Sequence, residues 1–170
     1  MRAWDLAATH ETGRNDPDWT VGVKLSRDET GRYLILDVVR MRATSHQVEE
    51  LIIRSAQKDG PGVIVAIPED PGQAGKSQTS YLTAQLAGFH VISSRETGSK
   101  ATRAMPLVSQ VEAGNVSIVR ADWNRAFLDE LNDFPSGRKD DQVDALVRAF
   151  TTLTSRPRSA RSIDLSILRR

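Results

Sequence analysis

The sequence contains no cysteine, which removes disulfides, thiolate nucleophiles and every cysteine-based zinc or iron–sulfur site, and fits a reducing compartment. Histidine is nearly as scarce. His10, His46 and His90 fall in three separate segments without paired ligand spacing, so surface or satisfied core positions explain them better than zinc ligation. Any metal would therefore be held by oxygen. No apolar run approaches the length that spans a bilayer, and the opening MRAWDLAATHETG lacks the charged and apolar regions of a signal peptide. The expectation is a cytoplasmic protein that makes no membrane contact. Nor does one charge sign dominate, with 23 Lys and Arg against 22 Asp and Glu. The balance is uneven along the chain, because from Ser155 onward Arg156, Arg158, Arg161, Arg169 and Arg170 face only Asp164. A slightly acidic body followed by a basic end does not announce a DNA-binding protein, and the end reads first as a solvated tail.

What is present suffices for one domain, since 170 residues with 39% hydrophobic content can bury one good core and are short for two. The expected division is a folded domain over 1–154 and a basic, flexible tail over 155–170. Runs rich in Val, Ile and aromatics predict strands at 3–8, 19–25, 33–39, 63–67, 89–93 and 116–119. Only polar turns separate the first three, which predicts an antiparallel meander. Apolar residues at helical spacing then predict helices over 45–58, with Ser45 as cap, and near 76–87, 100–112, 122–132 and 140–152. Strand and helix alternate over this part, so the later strands should pair in parallel. The expected fold class is α/β: a mixed sheet, three antiparallel strands followed by parallel ones, with helices on both faces.

Carboxylates stand in three places that folding alone does not favour. Asp5 sits between Trp4 and Leu6 in what should be a central strand, where a charge needs a partner or a metal. Glu69 and Asp70 follow the apolar strand GVIVAIP directly, at the carboxyl end where α/β sheets gather ligand groups, although a turn Asp is common there too. In DDQVDALVRAF, Val143, Leu146, Val147 and Phe150 mark a buried helical face, while Asp140 and Asp141 sit at the amino end as capping and dipole-compensating acids. Capping does not explain Asp144, which lies one turn inside and shares a helical side with Asp141 through i, i+3 spacing. Two carboxylates about 4 Å apart repel by roughly 4 kcal/mol at an effective dielectric near 20. A divalent cation reverses that penalty, and Mg²⁺ accepts carboxylate oxygens while keeping open positions for a phosphate. One or two ions of Mg²⁺ or Mn²⁺ would thus suit phosphodiester cleavage without a His or Cys base. On this reading Asp144→Asn, Asp5→Asn and Asp70→Asn should remove cleavage yet leave the metal-free fold as stable or more so, and Asp140→Asn should be nearly silent.

The strings AWDLAAT, NDPDWTVGV, VIVAIPEDPGQAGK, TGSKATRA, EAGNVSIV and FLDELNDFPSGRKDDQVDAL, in that order, resemble the nuclease half of tailed-phage large terminase subunits over residues 2 to about 153. The resemblance implies an RNase H-like fold, related in architecture to the RuvC Holliday-junction resolvase and to retroviral integrases. It implies a DNA endonuclease that cuts concatemeric double-stranded viral DNA during packaging. The metal ligands fall on Asp5, on Asp70 as the acid immediately before PGQAG, on Asp144, and with a varying role on Asp141. Glu69 departs from the family, where an uncharged residue is usual. Lys100 and Arg103 match a basic loop and helix start near the phosphate backbone, and Lys76, Arg138 and Lys139 complete the expected DNA contacts. Family partners would be an ATPase motor domain, ordinarily in the same polypeptide, the portal and the small terminase subunit. GQAGKS resembles the end of a Walker A motif, but Asp70 occupies the required first glycine position, so no ATPase activity is expected in this chain. The rival readings are a RuvC-like structure-selective nuclease and a non-catalytic module that docks DNA or partner proteins.

Overall fold

A computed structural model describes residues 1–7, 16–69, 71–95 and 97–155. Six strands form one sheet in the order β5-β4-β1-β2-β3-β6. These are β1 (Arg2–Asp5), β2 (Thr20–Arg27), β3 (Tyr33–Met41), β4 (Val65–Pro68), β5 (Val91–Ser94) and β6 (Val116–Ile118). The first three make the expected antiparallel meander, with Asp5 opposite Val21 and Val21 opposite Arg40. The later strands pair in parallel, β4 on β1 and β5 on β4, whereas β6 crosses to the far edge and joins β3. Strand β1 ends sooner than the run 3–8 suggests. Beyond Asp5 the Thr20 hydroxyl replaces the ladder, accepting from the Ala7 N–H at 3.0 Å and donating to the Ala7 carbonyl at 2.5 Å.

Five helices, α1 (Ser45–Asp59), α2 (Gln73–Gln85), α3 (Lys100–Glu112), α4 (Asn124–Asp133) and α5 (Asp141–Thr154), cover both faces of the sheet. Side chains alternate across the pleat. In β1, Ala3 joins the core that packs α3, α4 and α5 through Leu107, Phe127, Leu146 and Phe150, whereas Trp4 joins the core of α1 and α2 with Ile52 and Leu82. Gly22 lies opposite Trp4, and a Cβ there would stand 2.7 Å from the indole ring, so the close approach of the ring requires glycine. At the other end of β1 the buried Arg2 guanidinium bonds Asp59 and Asp37 at 2.6 and 2.7 Å. Burial opposes ionisation of Asp59, yet hydrogen bonds from Arg2 and Lys24 prevail and hold its carboxyl below the ordinary range.

Two local readings need correction. Thr44, not Ser45, caps α1, and its N–H donates to Gln47 Oε1 at 3.1 Å. Helix α5 has no single buried face, because every residue from Asp141 to Phe150 is buried. It packs on β1 and β2 and is flanked by α3 and α4, so its polar side chains must find partners inside the protein. Among the described residues no helix is long and apolar enough to cross a membrane.

Candidate active site

Asp5 is the last residue of β1 and shares the α5 face of the sheet with Ala3. Its carboxylate lies 3.9 Å from the guanidinium of Arg148, whose side chain is 4% exposed. Arg148 is four residues beyond Asp144, which is four beyond Asp140. These three residues, and not Asp141, form the polar stripe of α5. The stripe meets the amino end of α3, where Lys100 Nζ stands 2.7 Å from Asp140 Oδ2 and 2.6 Å from Asp144 Oδ2, and Arg103 stands 3.8 Å from Asp144. A lysine in the first turn of a helix opposes the helix dipole, and the two α5 carboxylates offset that. Partial burial works against the Lys100 ammonium, but the hydrogen bonds it donates to Asp140 and Asp144 outweigh it and raise its pKa.

Asp140 stands at the N-cap position of α5 but makes no capping hydrogen bond, because its carboxylate is given to Lys100. Asp141 turns the other way. It accepts a hydrogen bond from the Trp19 N–H at 3.2 Å, and burial pushes its pKa up to about 6, with the Trp19 bond opposing and Asp18 and Glu130 adding to the rise. The expectation that Asp141 and Asp144 share one side therefore gives way, since the tight fit of α5 between β2 and α3 sends them to different neighbours.

At the carboxyl ends of β1, β4 and β5, a groove of about 220 Å³ is lined by Asp5, Glu69, Ser94, Arg95 and Arg148 among others. At roughly 30 Å³ per water it has room for a hydrated ion or a phosphate group. Glu69 accepts hydrogen bonds from Arg95 at 2.8–2.9 Å. Asp70 lies outside the described residues. The other expected contacts are scattered. Lys76 lines a separate groove beside Thr79 and Ser93. Lys139 bonds the Asp16 carbonyl and Asp18, each at 2.8 Å, and Arg138 stands 3.9 Å from Asp16. His46 and His90 are exposed, while His10 lies outside the described residues.

The model of the terminase RNase H-like domain family matches residues 2–153. The chain belongs to that family. No functionally curated protein shows significant sequence similarity to this family member. Among solved structures, the large terminase nuclease of thermophilic phage G20c with bound zinc has a TM-score of 0.62 at 21% identity, over 88% of this terminase-family chain and 78% of that one. The same nuclease has been solved with bound magnesium. The fowlpox virus Holliday junction resolvase gives a TM-score of 0.54 at 13% identity, covering 91% of this chain and 96% of its own, and was also solved with Holliday junction DNA. The yeast mitochondrial Holliday junction resolvase gives 0.55 at 10% identity, over 87% and 76% of the two chains. At these identities the likeness is one of fold, and it places the terminase-family domain in the RNase H-like architecture.

Among the described residues no three acidic, His or Cys side chains form one group that could hold a metal. Two observations nevertheless fit a hard divalent ion. The acids at the carboxyl end of the central strands offer hard oxygen donors, and Asp140 and Asp144 already hold a cation, the Lys100 ammonium, between their carboxylates. Sequence reasoning missed Arg148 and Arg95. Arg148 had a signal, an arginine placed i+4 from Asp144 within the apolar run ALVRAF. Arg95 had none, since only the pairing of β5 with β4 brings it to Glu69.

Proposed function

We propose that the chain is a divalent-metal-dependent endonuclease that hydrolyses double-stranded DNA during the packaging of a concatemeric viral genome. The observation that carries this reading is the meeting of Asp5, from the carboxyl end of the central strand, with the Asp144-Arg148 face of α5, within a chain of the terminase RNase H-like family. Asp5, Asp70 and Asp144 would hold one or two ions of Mg²⁺ or Mn²⁺, with Asp141 in an outer role. The zinc and magnesium in the phage G20c nuclease support a divalent ion. A divalent ion held by carboxylates polarises a phosphoryl oxygen and lowers the pKa of water, which supplies a nucleophile at neutral pH.

The chain's own residues do the rest. Asp5 and Asp144 supply fixed negative charge from two rigid elements, so their positions depend on the sheet and on α5 and not on loops. Lys100, Arg103 and Arg148 bring positive charge to the same end, where it faces the charge of a bound phosphate. Burial of α5 limits water on the protein side of the groove and strengthens each of these interactions. ATP takes no part, because GQAGKS lacks a complete phosphate loop. An ATPase motor domain, the portal and the small terminase subunit are the partners that this role implies.

The test is nicking of supercoiled plasmid by the pure protein, with Mg²⁺ or Mn²⁺, without ATP, and again in excess EDTA. Metal-dependent, ATP-independent nicking that Asp144→Asn abolishes is the expected result. Undiminished nicking in EDTA overturns the metal assignment, and no nicking under any condition favours the non-catalytic docking module. Cleavage of a four-way junction in preference to linear duplex would assign the chain the structure-selective activity of the resolvases.

A further inference from the structure

Beside the acidic site stands a group of side chains that the nuclease reading does not use. Asp5 pairs with Val21 and Val21 with Arg40, so Asp5 and Arg40 lie in register two strands apart, about 10 Å by strand spacing. They also share a face. Ala3, Val21 and Val38 all enter the core beneath α5, and the two-residue period of a strand carries Asp5 and Arg40 to that same side. Arg42 follows two residues later. The guanidinium carbons of Arg40 and Arg42 lie 4.5 and 4.3 Å from the centroid of the Trp19 ring, within cation–π range. Arg42 also pairs with Asp16, the acid that Arg138 and Lys139 approach.

Arg42, Arg138 and Lys139 thus gather around Asp16 and Asp18, and Arg40 adds a fourth cation beside them over Trp19, so the cations of this group outnumber those two acids. Asp16 offsets the charge of Arg42, whereas Arg40 faces no carboxylate among the described residues and has only the Trp19 ring beside it, so an anion lying across the pair would relieve the remaining repulsion. Arg40 is exposed. A planar fork braced on an aromatic face loses little freedom on binding and matches a phosphate in two hydrogen bonds. The spacing from Asp5 is informative, because about 10 Å along the axis of a duplex is the rise of roughly three nucleotides at 3.4 Å each.

We propose that Arg40 and Arg42, braced on Trp19, bind the phosphate backbone of duplex DNA about three nucleotides from the bond that is cut. The inference rests on the nuclease reading, and binding separates the two. The experiment measures anisotropy of a labelled duplex in EDTA from about 50 to 200 mM salt, the range over which phosphate contacts dominate, for the wild type, Arg40→Gln/Arg42→Gln and Arg40→Lys/Arg42→Lys. Each phosphate contact contributes about 0.9 to the slope of log affinity against log salt. The Gln pair should lower that slope by about 1.8, equally for unrelated sequences, whereas the Lys pair should keep it. Thermal melting checks the fold. Should the double variant not fold, the exposed Arg40→Gln alone should lower the slope by about 0.9. An unchanged slope in a folded Gln variant of a wild type that binds and cuts DNA overturns the inference and leaves the nuclease standing; the arginines then only cover Trp19. A wild type that shows the expected slopes yet cuts nothing overturns the nuclease reading alone. A wild type with no affinity for duplex even at the lowest salt overturns both.

Discussion

The Arg148 guanidinium reaches the Asp5 carboxylate from within α5, 3.9 Å away, with 4% of the arginine and 24% of the aspartate side chain exposed. Replacing Arg148 by Met leaves Asp5 without this cation. The metal-free fold should lose about 1–3 kcal/mol, less than the roughly 3–5 for a fully buried broken pair, because Asp5 retains some water. Mn²⁺ should then raise the melting temperature more in Arg148→Met than in the wild type, since the ion no longer competes with the guanidinium. Equal Mn²⁺ shifts in the two proteins would remove Asp5 from the metal site.

The acids on α5 should respond differently from what like-charge repulsion alone suggests. Asp144 faces Lys100 and Arg103, so Asp144→Asn leaves two cations short of a partner. The metal-free fold should be less stable by about 1–2 kcal/mol, not more stable, and cleavage should fall by at least about 100-fold. Asp140→Asn should not be silent either, because its carboxylate holds Lys100 and not the helix cap. Asp5→Asn and Asp70→Asn should remove cleavage while the protein stays folded. Nicking rates in Mn²⁺, set beside metal-free melting temperatures, decide each case.

Asp141 gives a pH dependence of stability with a definite sign. Its pKa is pushed up to about 6 in the fold from an ordinary 3.8, so its ionisation costs folding free energy. That cost is complete above about pH 6 and vanishes as the pH falls toward 4. Asp141→Asn, whose amide oxygen can still accept from Trp19, should therefore be more stable than the wild type at pH 8, with the gap closing near pH 4. Urea unfolding at both pH values measures this. A gap that does not change with pH would show that Asp141 titrates normally in the fold.

Gly22→Ala tests packing on the face of the sheet opposite the candidate site. The added Cβ would stand 2.7 Å from the buried Trp4 ring, and such overpacking costs about 1–3 kcal/mol. The melting temperature should fall while metal-dependent nicking persists at a temperature where the variant is folded. A variant as stable as the wild type would mean that the ring has room to shift.

We propose that residues 1–154 fold without the remaining chain. Deletion after Ser155 should leave the melting temperature unchanged and at most weaken DNA binding, because the removed segment carries five arginines. Loss of cooperative unfolding would assign Ile163, Leu165 and Leu168 to the core.

Much of the architecture was legible in local pattern. The polar turns between the first three apolar runs admit only hairpin-like connections, and the strand-helix alternation after Val39 implies parallel pairing, so the mixed sheet follows from chain connectivity. Helix α3 has the predicted bounds, because Ser99 supplies a capping hydroxyl to Thr102 N–H just before it. Asp5 and Asp144 stand out within apolar surroundings for the same reason that they matter, since charge there needs a partner.

What the sequence determined by itself was thus the set of elements and the residues whose chemistry conflicts with simple burial. Only the tertiary structure decided their company. Nothing in local spacing sends β6 to β3 instead of β5, joins Arg95 to Glu69, or brings Lys100 of α3 onto Asp140 and Asp144. Helical periodicity paired Asp141 with Asp144, but α5 is enclosed on all sides. In such a helix each polar side chain turns to whichever neighbouring element can satisfy it, and those neighbours are set by contacts distant in sequence.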